Sequence, residues 1–226
     1  MRVALAAALI LLPSWLAGCD RLAPGAEGTV FEARCQALPG IAPTVVALPI
    51  TPHHDESRSL AELTGMFDRA RPAHETMGLT QARIGFQSAI DVKGLKETGG
   101  RRVCVRAQVR VEMVMQPLTV FVAHEVARDE CRRAAVREHE MKHVAVYEAY
   151  MRDAVARLAR TLPEALPERV HYAADAATAQ ADLARALSAY LEQFQAQDSD
   201  EIAARQAEVD SAPEYARVAA ACAAPG

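Results

Sequence analysis

The sequence predicts an α+β fold, a small antiparallel sheet packed on a long helix with additional C-terminal helices, and three observations predict it. Side chains alternate with a period of two from Thr80 to Met115, residues 125–161 contain neither Gly nor Pro, and Ala-rich amphipathic stretches fill the last third. At 226 residues, 51% hydrophobic and 24% charged, the chain is long enough for one sizeable core and is neither disordered nor collagen-like. Lys and Arg number 25 against 29 Asp and Glu, for a formal charge of -4 without a basic block, which argues against nucleic acid as a partner.

Residues 1–18 read as an export signal: Arg2, an apolar run from Val3 to Leu12, then a small-residue site, too short to span a bilayer stably. Leu16-Ala17-Gly18-Cys19 resembles the bacterial lipobox. That resemblance implies cleavage before Cys19 and acylation of its thiol, with several chains tethering the protein to a membrane without crossing it. The expected location is the bacterial cell envelope, on the inner or outer membrane and facing the periplasm or exterior; Asp20 resembles an inner-membrane retention signal. Residues 19–34 are expected to be a tether and 35–226 a single domain.

Within that domain, the four prolines of residues 36–58 suggest an extended strap. Ser59 and Glu62 form a capping-box pattern ahead of Leu60, Leu63, Met66 and Phe67, predicting a helix over about 60–70. Ile84, Phe86, Ser88, Ile90 and Val92 share one side of a strand, Thr98-Gly99-Gly100 turns the chain, and Val103, Val105, Ala107, Val109, Val111, Met113 and Met115 share one side of the next. After Gln116-Pro117 a third short strand is expected over Thr119 to Ala123. One long helix follows at 125–161, stopped by Pro163 and Pro167, and two more are expected at about 175–196 and 200–221.

Without Cys19 four cysteines remain, an even number suited to an oxidising compartment. Cys104 with Cys131 is the favoured pair, tying a strand to the long helix and leaving Cys35 with Cys222. The shorter loop would stabilise by roughly 3 to 4 kcal/mol on the chain-entropy model.

The long helix carries His139-Glu140-Met141-Lys142-His143, an H-E-x-x-H sequence. Spacing of four places two imidazoles one turn apart on one face, within reach of a single metal ion, with the Glu beside them to handle a bound water. Five letters recur by chance, so context decides. His139, Glu140 and His143 fall within the stripe of Val136, Tyr147, Tyr150, Met151, Ala154 and Leu158, the face that must pack on the sheet. Burying three ionisable groups unpaired would cost several kcal/mol, and a metal removes that cost.

With its strands, helix and motif, the stretch 80–160 resembles the zincin metallopeptidases. Arg137 to His143, with Tyr147, Glu148 and Tyr150 after it, looks like uncharacterised bacterial secreted proteins predicted to be zinc-dependent proteases. The resemblance implies Zn2+ on His139 and His143, Glu140 as general base, and a peptide or protein substrate. Val146 and Ala149 stand where metzincins carry Gly and His, which excludes that subclass. The third ligand stays open among Glu164, Glu168, His171 and His124, with Asp175 and Asp182 further on; Glu148 points about 160° away from the two histidines on an unbroken helix.

By analogy with zincin edge strands, the strand near 118–123 is expected to pair with an extended substrate. His53-His54-Asp55 reads as a solvated loop, and Arg102, Arg106 and Arg110 as a solvated basic row. The rival expectation is a non-catalytic envelope lipoprotein that holds a structural metal or none and binds a partner through its helices.

Overall fold

The computed structural model describes residues 26–40, 42–67, 75–166 and 170–222, so residues 1–18, Cys19, Pro167 and Glu168 lie outside the described residues. Its architecture is mixed α+β. Two strands dominate, β3 (Gly78–Lys96) and β4 (Val103–Val122), an antiparallel hairpin whose connecting turn holds Gly99 at φ +74°, where a side chain would be strained. Ile84 pairs with Met115 but Ala82 with Leu118, so β4 carries an extra residue there. This bulge moves the inward side of β4 from the odd positions Val109, Val111, Met113 and Met115 to the even positions Leu118, Val120 and Val122. The expected third strand is therefore the continuation of β4.

The sheet is mixed rather than antiparallel. The proline-rich strap supplies β1 (Thr44–Ala47) and β2 (His53–Asp55), both parallel to β4, and β5 (His171–Ala173) pairs antiparallel with Val103–Val105. All three lie on the edge of β4 opposite β3. Residues 119–121 are thereby paired on both sides, which closes the strand expected to receive a substrate.

The expected tether is structured from residue 26 onward. It forms α1 (Ala26–Gln36), which buries Phe31 and Cys35 against Cys104. In α2 (Leu60–Phe67) the predicted capping box is present, with Glu62 Oε2 accepting from the Ser59 amide at 2.8 Å and Ser59 Oγ from the Glu62 amide at 3.2 Å. The long helix starts as a short turn, α3 (His124–Ala127), and restarts at Asp129, whose carboxylate accepts from the Arg132 amide and caps α4 (Glu130–Ala165). Pro163 sits inside its last turn: one amide is lost, yet Leu166 still donates to the Leu162 carbonyl.

The two expected terminal helices divide elsewhere. α5 (Ala176–Val209) runs unbroken past the polar Gln197-Asp198-Ser199-Asp200, because Asp198 accepts hydrogen bonds from Tyr150 and Arg157 on α4. The break falls at Asp210 and Ser211, followed by α6 (Ala212–Ala220) with Pro213 in its first turn. Val144, Met151, Ala154, Leu158 and Leu162 of α4 pack with Leu187, Leu191 and Phe194 of α5 on the inner face of β4, forming the main core. No described helix is long and apolar enough to cross a membrane.

The disulfides join Cys35 to Cys104 and Cys131 to Cys222, not the expected pairs. The length of β4 explains the difference. Cys104 and Val122 stand at opposite ends of an extended strand, about 60 Å apart at the usual rise. Cys131 begins α4 just after the Val122 end, far beyond the few ångströms a disulfide spans.

Candidate metal centre

His139, Glu140 and His143 all face inward from α4 and are less than a tenth exposed. Helical spacing sets this: the same stripe continues into Tyr150, Met151, Ala154 and Leu158, which anchor α4 to the sheet and so fix the direction of the histidine turn. The two rings meet edge to face with centroids 5.0 Å apart. Asp210, the C-cap of α5, comes to them from the far end of the chain. Its Oδ1 lies 3.3 Å from His139 Nε2 and 3.2 Å from His143 Nε2, and donor atoms of the three residues lie within 4.8 Å of one another.

The other ring nitrogens are also held. His143 Nδ1 lies 2.6 Å from Gln206 Oε1, and the Gln206 amide group donates to the His143 carbonyl at 3.2 Å, which fixes the amide so that its oxygen faces the ring. His139 Nδ1 lies 3.3 Å from Glu214 Oε1, a carboxylate itself held by Lys142 at 2.7 Å and by Arg217. Every ring nitrogen therefore faces an acceptor, with Nδ1–H donated outward and both Nε2 atoms turned toward one point.

Burial resists protonation of both histidines, yet their hydrogen bonds outweigh it. Asp210 is the largest influence on His139 and raises it; at His143 burial comes first but Asp210 and Gln206 overturn it, and both stand above their ordinary value. Burial alone would raise Asp210, but hydrogen bonds from His139 and His143 hold its carboxyl well below the usual range. Arg217 and Lys142 do the same for Glu214. Burial, with Asp210 beside it, pushes the Tyr215 phenol up to about 12.

Glu140 is different. Burial raises its pKa, and its only described hydrogen-bond donor is the Thr80 hydroxyl, 2.8 Å from Oε2. Thr80 and Gly78 belong to the start of β3, which runs against this turn of α4. A Cβ at Gly78 would fall inside contact distance of Glu140 Oε1 and only 2.6 Å from Val136 Cγ1, so glycine is what lets the strand pass this close.

The donor chemistry fits a divalent metal. Tetrahedral zinc with bonds of 2.0 to 2.2 Å requires donor atoms about 3.3 to 3.5 Å apart, close to the two Nε2–Oδ1 separations here. Each Nδ1–H is oriented by an oxygen outside the donor set, as metal-bound histidines are. Without a cation, two buried rings facing only acceptors are driven toward the doubly protonated form a few ångströms apart, and a metal replaces both Nε2 protons.

Asp210, the third member of the group that could hold a metal, was not among the expected ligands. Glu164 is exposed and lies about 30 Å along α4 from His143. His171 is on β5 with Asp182 at 3.4 Å, His124 pairs with Glu125 at 3.3 Å, and Asp175 caps α5. Asp210 was hidden because the helix expected over 200–221 placed it mid-element; Pro213 after Ser211 was the available sign of a break. The expected basic row is internally engaged, Arg102 with Glu97, Arg110 with Glu112, and Arg106 donating to the Gln36 carbonyl. A separate cleft lined by Arg157, Thr161, Tyr190 and Asp198 lies between α4 and α5, about 20 Å along α4 from His143.

No protein-family model matches the chain, and no curated protein or solved structure matches it.

Proposed function

We propose that the protein is a lipid-anchored, zinc-dependent hydrolase of the bacterial cell envelope, cleaving a peptide or related amide. His139, His143 and Asp210 hold the ion, and Glu140 is the general base. The carrying observation is the convergence of both Nε2 atoms on Asp210 Oδ1 beside a buried carboxylate. Zinc at such a donor set lowers the pKa of a water ligand and polarises a carbonyl.

Glu140 suits the proton-handling role. Burial makes its carboxylate a stronger base than one in water, and the Thr80 hydroxyl occupies Oε2, leaving Oε1 to take a proton from water and pass it to the departing nitrogen. The outer edge of β3 is the strand edge that reaches Glu140. Glutamines of α5 cap it further along, Gln195 at the Ile84 carbonyl and Gln180 at the Ile90 carbonyl, while Gly78–Ala82 has no such cap among the described residues. An extended substrate pairs there in this reading. The envelope location rests on the lipobox-like residues 16–19, and two disulfides agree with an oxidising compartment.

One observation favours a structural metal instead: α6 brings Glu214 and Tyr215 against His139, enclosing the site. Metal analysis and one substitution separate the readings. The purified mature domain should carry one zinc per chain, lost in His143→Ala. Glu140→Gln should keep zinc and melting temperature while peptide turnover falls by roughly 100- to 10,000-fold. Wild-type protein without zinc sinks the proposal, and zinc without Glu140-dependent turnover leaves the structural reading.

A further inference from the structure

We infer that the Cys131–Cys222 disulfide is a redox latch on the metal centre: oxidised, it clamps α6 beside His139, and its reduction by a dithiol lowers the affinity of the site for zinc. The inference rests on the zinc reading above and names a means of regulating that site.

α6 lies antiparallel along the first turns of α4. Glu214 reaches His139 and Lys142, Arg217 reaches Glu138 at 3.2 Å, Val218 packs on the cluster containing Val136, and Cys222 meets Cys131. The contacts descend α4 in order, so the disulfide closes the end of a clamp whose other end holds the metal site. Little else holds it. α6 has nine residues and not one is buried; it is too short to be stable alone, and the partly buried Val218 is its one side chain packed on a described apolar cluster. The ion pairs along it are partly exposed and individually weak.

Its loss would reach the site directly. Asp210 stands two residues before α6, Glu214 orients the His139 ring, and Tyr215 hydrogen-bonds Asp210. Gln206, on the packed α5, would stay with His143. One ring would keep its orienting partner and the other would lose it.

The two disulfides differ in access. Cys35 and Cys104 are completely buried, whereas Cys131 is exposed and Cys222 half-buried. A dithiol thiolate attacks one sulfur of the Cys131–Cys222 bond, forming a mixed disulfide and expelling the other cysteine as thiolate. The second thiol of the reductant displaces the first cysteine, leaving an oxidised dithiol. Two electrons and two protons pass to the protein, giving two cysteine thiols.

The test compares the zinc affinity of the oxidised wild-type domain, by competition with a chromophoric chelator, with that of C131S/C222S and C35S/C104S. Hydrogen exchange over residues 206–222 is followed in parallel. The latch predicts a 10- to 100-fold loss of zinc affinity and faster exchange over 211–222 in C131S/C222S. C35S/C104S should melt earlier and bind zinc as the wild type does. Limited dithiothreitol should open Cys131–Cys222 first and reproduce the affinity loss. Equal affinities for wild type and C131S/C222S overturn the latch while leaving the zinc reading intact, and a C131S/C222S variant that cannot fold overturns it in favour of a plain fold staple. A wild-type domain that takes no zinc overturns the zinc reading and the latch with it.

Discussion

His139, Glu140 and His143 stand on a helix whose neighbouring turns bury Val144, Met151 and Leu158 almost completely, whereas Glu214 and Tyr215 face them from a nine-residue helix with no buried side chain. The first half of the centre is positioned by packing, in which a moved side chain leaves a void. The second half is positioned by hydrogen bonds, ion pairs and one disulfide. Asp210 joins them, at the end of the packed α5 and the start of the loosely held segment. A site built this way has rigid nitrogens and a removable oxygen side.

The comparison breaks most sharply at Asp210. Asp210→Ala should abolish stoichiometric zinc while leaving helix content by circular dichroism unchanged; a variant retaining full zinc would show that the C-terminal half contributes no ligand. Next comes the packed half. Leu158→Ala should destabilise the fold by about 2 to 5 kcal/mol in denaturant titration, because the site is fully enclosed, with little change in zinc affinity. Gln206→Ala should cost 10- to 100-fold in zinc affinity by freeing the His143 ring, and a smaller loss than in Glu214→Ala would place the ring's control in packing.

The smallest effect is in pH. Both histidines have folded-state values raised above 6.5, so in the metal-free protein their stabilisation is complete below that pH and is lost as pH rises through the raised values. Zinc competes with the same Nε2 protons, so its affinity rises over that range. The melting temperatures of metal-free and zinc-loaded protein should therefore diverge as pH increases from 6 to 8. Parallel curves would mean that the metal displaces no protons from these rings.

Much of this was legible locally. The capping box of Ser59 and Glu62, the hairpin about Gly99 and the inward stripe of α4 follow from spacings of a few residues, and the alignment of His139, Glu140 and His143 with that stripe marked the site. The continuity of α5 was not legible, because Asp198 is kept helical by Tyr150 and Arg157 from another element. Nor were the parallel pairings of β1 and β2, whose short proline-flanked segments carry no signal of a partner.

By itself, then, the sequence determined which residues are helical or extended over most of the described chain and which turn of α4 presents two imidazoles and a carboxylate. Local steric and hydrophobic periodicity act over a single turn or pleat, and they need no knowledge of the rest of the chain. Tertiary structure alone decided that Asp210 comes to the two histidines, that Glu214 and Gln206 face their other ring nitrogens, and that Cys131 joins Cys222. Those choices depend on how far β4 and α5 carry the chain before it turns back, a sum over dozens of residues in which one misplaced break moves the end of a helix by several ångströms.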